Sequence, residues 1–295
     1  MKPLSSDTPL EIEHLWIAKL REKGPVWRLR RLASLTNLCW HAASEAYQRA
    51  WPRASDRERD RWLLQERYGS DLARRVEALA ARKASMSVNR ELWDALLPVV
   101  DALETLGVPY SVGGSVASGF AGVVRATFDV DLVADLCPGY AEPLARALSP
   151  DYYADVEMIA NAIRSRGSFN VIHLATLFKI DVFVMEDTAF ARENMARRIA
   201  LELSDVGRTL YFTSPEDIVL HKLLWYAMGS GVSDRQWYDL QGVLRLQAER
   251  LDLAYMRRWA DQLGIMDLLH QALAEAGLTG TSGDRTDQLG QETDT

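Results

Sequence analysis

An α+β fold is predicted: an N-terminal helical bundle, then a core built on a small mixed or antiparallel sheet flanked by helices, then C-terminal helices. Three observations carry the prediction. Residues 1–85 read as helical throughout. Between 110 and 212 the apolar residues gather into short strand-like runs bounded by Gly, Pro and Ser. From Ser214 onward, helix-start signals and helical spacing return. The domains expected on this basis are 1–85 (helical), 86–213 (α/β core), 214–277 (helical) and a disordered tail at 278–295, rich in Thr, Gly, Asp and Gln.

Each element has a local cause. Glu11–Lys23 is a helix that Gly24-Pro25 ends, and a longer helix runs from Val26 to Trp51 with Leu29, Leu32, Leu35 and Leu38 at helical spacing before Pro52 stops it. Ser55 with Glu58 three residues on is a capping box for a helix to Tyr68-Gly69; Ser70 or Asp71 caps another, to about Lys83. Trp40, Trp51 and Trp62 recur every 11 residues, about three helical turns, and read as core aromatics of the helical bundle. Residues 87–106 form an amphipathic helix on Leu92, Leu96, Val99, Val100 and Leu103. Tyr110–Val112 is a strand ending in Gly113-Gly114-Ser115. Val116–Val123 is a helix, Thr127–Leu136 a strand, 141–148 a helix, and the stretch near 151–168 irregular. Asn170–Leu174 and Leu177–Met185 form a hairpin about Ala175-Thr176. A short helix at 191–197 and a strand at Thr209–Phe212 follow. Ser214-Pro215-Glu216-Asp217 supplies a cap, Pro at the first helical position and acids in the first turn of a helix to Met228. Gly229-Ser230-Gly231 breaks it, Ser233 caps a helix to about Arg250, and one last helix covers 252–276.

Composition sets outer bounds. With 48% hydrophobic and 25% charged residues, the 295-residue chain has material for a sizeable core. No run of about 18 apolar residues exists, and no signal peptide is read at the N-terminus. Cys39 and Cys137 lie far apart without metal-ligand spacing, so free thiols and a cytoplasmic setting, with no membrane partner, are expected. The net charge of −7 is uneven: residues 1–85 carry 17 Lys+Arg against 11 Asp+Glu, the remainder 17 against 30. A solvated helical surface with excess arginine is the plain account. The alternatives are attraction between the two parts or contact of the basic part with nucleic acid.

The chemistry gathers after the first strand. Strand side chains alternate faces, so Asp129 and Asp131 point one way while Val130 and Leu132 point into the core. Two like charges held this close repel unless a cation sits between them. Mg²⁺ (or Mn²⁺) suits carboxylate and triphosphate oxygens together. Asp181, inside the apolar run Phe178–Val184, would complete the metal set and help deprotonate or position an acceptor. Gly113 and Gly114 let backbone approach a phosphate, the helix behind them offers free N–H groups, and Ser115 adds a hydroxyl. Arg125 is a candidate phosphate contact or a plain surface arginine. The histidines give no site; His173 reads as a satisfied core residue.

At these residues the chain resembles the polymerase-beta type of nucleotidyltransferase, whose pattern is a Gly-Ser turn, an Asp-x-Asp strand and a later strand Asp. Residues 108–135 and 177–185 carry that likeness, and the stretch from about 86 to 276 is similar to AbiEii/AbiGii-type nucleotidyltransferase toxins and their relatives. The second likeness includes Ser214-Pro215-Glu216-Asp217 through Lys222 and Ser233 through Asp239. The resemblance implies transfer of a nucleoside monophosphate from an NTP to an acceptor hydroxyl on a tRNA 3′ end, a protein or a small molecule. It also implies a nucleotide contact at Lys222, a catalytic role for Asp239, and a toxin–antitoxin or phage-defence setting. Read from the residues alone, Lys222 is a solvent lysine beside His221 and Asp239 an i,i+4 partner of Arg235. A second class of reading is a nucleotide-binding toxin–antitoxin component with little turnover, binding an antitoxin or itself through the basic helical part.

Overall fold

The computed structural model describes residues 3–4, 8–80, 92–149, 151–203, 207–229 and 234–278, with the backbone alone at 77–80. In chain order the elements are α1 Leu10–Ala50, α2 Asp56–Ala80, α3 Leu92–Thr105, β1 Tyr110–Val112, α4 Gly114–Ala121, β2 Asp129–Ala134, α5 Ala141–Leu148, β3 Tyr152–Tyr153 and α6 Val156–Ser165. There follow β4 Ser168–His173, β5 Lys179–Val184, α7 Ala189–Arg197, β6 Ile199–Leu203, β7 Arg208–Phe212, α8 Pro215–Met228, α9 Asp234–Gln247, α10 Leu253–Gln262 and α11 Met266–Ala276. The fold is α+β, with long helices first, one mixed sheet in the middle and helices last. The expected domain boundary at 85–86, the expected helical residues 87–91, the cap at Ser233 and the tail beyond Leu278 lie outside the described residues.

Two compact units make up the chain: Lys23–Ser214, and Met1–Glu22 together with Pro215–Thr295. The helical residues of 1–85 are therefore shared between both units. α1 is interrupted at Gly24 (φ 75°, ψ 172°) and α2 at Gly69 (φ 79°, ψ 161°), the breaks expected from Gly24-Pro25 and Tyr68-Gly69. The capping box forms as read: the Ser55 N–H donates to Glu58 Oε2 at 2.7 Å, and the Glu58 N–H donates back to Ser55 Oγ at 3.3 Å.

In the Lys23–Ser214 unit, seven strands pair in the order β3-β4-β5-β2-β1-β7-β6. β2 runs parallel to β5 and β1 parallel to β7; the other pairs are antiparallel. α1 and α2 pack directly on this sheet and its loops. Arg28 Nε donates to the Phe120 carbonyl at 2.8 Å, and the Thr127 N–H donates to Thr36 Oγ1 at 3.1 Å. Gly119 lies so close to Leu32 that a Cβ there would meet its Cδ1 at 2.4 Å. Leu64, Ala73 and Val76 of α2 share a core with Tyr153, Ile172, Leu174 and Leu177. The three tryptophans therefore part company. Trp40 is buried against Phe128 and Phe178, at 5.8 and 6.0 Å between ring centroids, whereas Trp51 is 52% exposed and meets Tyr47 and Trp62 only in tilted ring contacts. The expectation of three core tryptophans fails at Trp51, which follows the last residue of α1 and is exposed.

Three further elements differ from expectation. The stretch near 151–168 is not irregular: it holds β3 and α6, the latter capped by Asp155, whose side chain accepts from the Met158 N–H at 3.0 Å. β6 was not expected, and it pairs β7 over five residues. The last helix is two helices, α10 and α11, parted at Gly264 (φ 69°).

In the other unit, α8 and α9 pack together with α10 and α11. A buried Arg245–Glu13 ion pair joins α9 to the first part of α1, and Arg21 Nε donates to the Leu246 carbonyl at 2.9 Å. The first-turn acids of α8 have specific partners: Asp217 accepts from the Tyr255 hydroxyl at 2.6 Å, and Glu216 accepts from the Asp252 N–H at 3.0 Å. No described helix is long and apolar enough to cross a membrane.

Candidate active site

The site is built on adjacent rows of the sheet. β2 and β5 are parallel and in register, so Asp131 stands opposite Asp181 and Asp129 opposite Lys179. Burial along both strands alternates, with Val130, Leu132, Ile180 and Val182 in the core and the charged residues half-buried on the other face. On the far side of Asp181, Asn170 of β4 is its registered partner and shares its face. On the far side of Asp131 the chain of β1 continues into Gly113, whose N–H donates to the Asp131 carbonyl at 2.8 Å. One row thus reads Asn170, Asp181, Asp131, Gly113.

The Gly-Gly-Ser turn closes on the carboxylate. Gly114 has φ +53°, and a Cβ on it would lie 1.6 Å from Asp131 Oδ2 and 2.5 Å from Cγ. Only glycine permits that approach. Gly113 caps α4 without any side-chain hydrogen bond, leaving the helix's first N–H groups for another acceptor. Arg125 Nη2 donates to Ser115 Oγ at 2.7 Å, so Arg125 stands at the turn. Thr127 Oγ1 donates to Asp129 Oδ1 at 3.0 Å.

Asp181 has its own partner. Lys179 Nζ donates to Asp181 Oδ2 at 2.5 Å. Burial pushes the Asp181 carboxyl above the usual carboxylate range, Lys179 opposes that by its hydrogen bond and charge, and Asp129 adds to it. A carboxylate tuned upward is suited to accept a proton.

Among the described residues, no three His, Cys, Asp or Glu side chains converge into a metal cage. Mg²⁺ does not require one: it is commonly held by one or two carboxylates with substrate phosphates and water supplying the rest. Asp129 and Asp131 fit that donor set. Asn170 Oδ1, buried without a hydrogen-bond partner beside Asp181, marks a place where a cation or a donor hydroxyl would be favoured.

No protein-family model matches the sequence, and no curated protein matches it. Among solved structures, the chain is similar to an antigenic nucleotidyltransferase-like protein from Paracoccidioides brasiliensis, with a TM-score of 0.37 and 16% identity over 61% of this chain and 91% of that one.

Asp129, Asp131, Asp181, Gly113, Gly114, Ser115 and Arg125 all fall in the Lys23–Ser214 unit, whereas Lys222 and Asp239 belong to the other. There they pair with each other: Lys222 Nζ lies 3.0 Å from Asp239 Oδ2 and 2.8 Å from Gln236 Oε1, with side-chain exposures of 7% for Lys222 and 1% for Asp239. Lys222 is thus no solvent lysine. His173 is buried and hydrogen-bonded to Thr176 Oγ1 at 2.8 Å, a satisfied core histidine as read.

The sequence reading missed four site residues. Lys179 and Thr127 were within its reach, since each lies two residues before a strand aspartate and so on that aspartate's face. Asn170 depended on strand register. Tyr68 gave no local signal: its hydroxyl donates to the carbonyls of Leu177 at 3.1 Å and Phe128 at 3.4 Å, pinning α2 to the starts of β5 and β2.

Proposed function

We propose that the Lys23–Ser214 unit is a metal-dependent nucleotidyltransferase that moves a nucleoside monophosphate from an NTP to an acceptor hydroxyl. The observation that carries the reading is the register of Asp131 with Asp181, on one face with Asp129, where the Asp131 carboxylate meets the Gly114 backbone at the start of α4. The free N–H groups of α4 and the Ser115 hydroxyl receive triphosphate oxygens. Asp129 and Asp131 would hold Mg²⁺ or Mn²⁺, which, when bound, neutralises phosphate charge as pyrophosphate leaves. The acceptor oxygen attacks the α-phosphorus, the bond from that phosphorus to the bridging oxygen of the β-phosphate breaks, and Asp181 takes the acceptor proton. Its raised affinity for a proton suits that task.

The acceptor classes are those of the resemblance: a tRNA 3′ end, a protein hydroxyl or a small molecule. The test is incubation with each α-labelled NTP, Mg²⁺ and either total tRNA or cell extract. Wild type is expected to label an acceptor, and Asp129→Ala/Asp131→Ala to lose the label. Absence of transfer to any acceptor contradicts the reaction; transfer that survives the double substitution contradicts the assignment of the two aspartates.

A further inference from the structure

Arg67 is the charged group near the site that no role yet described uses. Its guanidinium carbon lies 3.2 Å from the ring centroid of Phe128 and 4.3 Å from that of Trp40, two rings set nearly at right angles, so cation–π contacts hold it in place. Among the described residues it makes no hydrogen bond and no ion pair. A guanidinium carries five N–H donors in a fixed fork. Partial burial depresses its proton affinity, and the Asp129 charge opposes that. The position is held rather than loose. Phe128 is the chain neighbour of Asp129, and Tyr68, next to Arg67, hydrogen-bonds the carbonyls of Phe128 and Leu177. A planar cation held against the ring of the residue before Asp129, with no protein partner for its N–H fork among the described residues, can take a phosphate through two N–H bonds.

We infer that Arg67 is a phosphate seat of the candidate active site, supplied by α2. The inference rests on the nucleotidyltransferase reading for its choice of ligand. Two sources offer the same group, the triphosphate of the nucleotide and the backbone phosphate of a nucleic-acid acceptor, and binding separates them. Titration calorimetry with inorganic tripolyphosphate and each of the four NTPs in Mg²⁺ reads the first. Filter binding of total tRNA over a salt series reads the second. Arg67→Met is expected to weaken one of the two by about tenfold. For tRNA, the slope of log affinity against log salt is expected to fall by about one phosphate contact, a change that a purely structural role would not produce. Arg67→Lys keeps the charge without the planar fork, so an intermediate affinity is expected, and it carries the test if Arg67→Met does not fold.

Loss for tripolyphosphate and NTPs assigns the seat to the nucleotide, and loss for tRNA alone assigns it to the acceptor. Unchanged affinities for both in a folded variant overturn the seat, as does a wild type that binds neither. The two readings fail separately. Arg67-dependent binding without label transfer keeps the seat and removes the reaction. Label transfer insensitive to Arg67, with unchanged binding, removes the seat alone.

Discussion

At the residue scale, the site depends on two positions where a single atom decides. Gly114 is one. With φ +53° and the Asp131 carboxylate where a Cβ would go, Gly114→Ala must both strain the backbone and displace Asp131. A loss of label transfer on the order of a hundredfold is expected, comparable to removing one preorganised donor of a developing charge. The melting temperature is expected to fall as well. Asp181 is the other. Because burial raises its pKa, its contribution to stability is full below the unfolded-state pKa, and is lost as pH rises through the higher folded-state value. At neutral pH without divalent metal, the ionised Asp181 therefore opposes folding. Asp181→Asn is expected to raise the melting temperature there while abolishing label transfer. Thermal melts against pH from 4 to 8 check this, and the gain should vanish at the acid end. A variant that melts lower than wild type at pH 7 would show that the Lys179 pairing outweighs the burial.

At the element scale, the sheet strands were legible where alternation was clean. Asp129-Val130-Asp131 and the hairpin about Ala175-Thr176 follow from period two and from turn residues, and the structure places them accordingly. The helix breaks at Gly24 and Gly69 and the Ser55–Glu58 box were legible for equally local reasons. What escaped was set by partners distant in sequence. β6 exists through its pairing with β7, and the register that brings Asn170 to Asp181 is a property of the β4–β5 pair. α6 was legible and overlooked: Ile159, Ala162 and Ile163 fall at helical spacing behind an Asp155 cap. The tryptophan series shows the limit most clearly: one spacing gave Trp40 a core against Phe128 and Phe178 and left Trp51 exposed, because packing against the sheet, and not helical phase, decides burial. Trp40→Ala is expected to cost about 3–5 kcal/mol by urea unfolding, with Trp51→Ala well under half of that.

At the scale of the whole molecule, charge and chemistry are unevenly divided. Residues 23–214 carry 24 Lys+Arg and 24 Asp+Glu, so the whole net charge of −7 belongs to the other unit. A neutral unit has no long-range pull on phosphate, and attraction must come from local cations such as Arg67, Arg125 and Lys179. In the other unit, the pairing of Lys222 with Asp239 gives both residues a structural task. Lys222→Met leaves a buried carboxylate without its cation and is expected to cost about 3–5 kcal/mol, whereas Lys222→Met/Asp239→Leu should be close to neutral in a denaturant melt. If the folded double variant also loses label transfer, the pair has a functional role as well. The proposed reaction at Asp129, Asp131 and Asp181 is decided by position-specific labelling. With NTP labelled at either the α- or the γ-phosphate, α-label is expected in the acceptor and γ-label in released pyrophosphate. Incorporation of γ-label would contradict it.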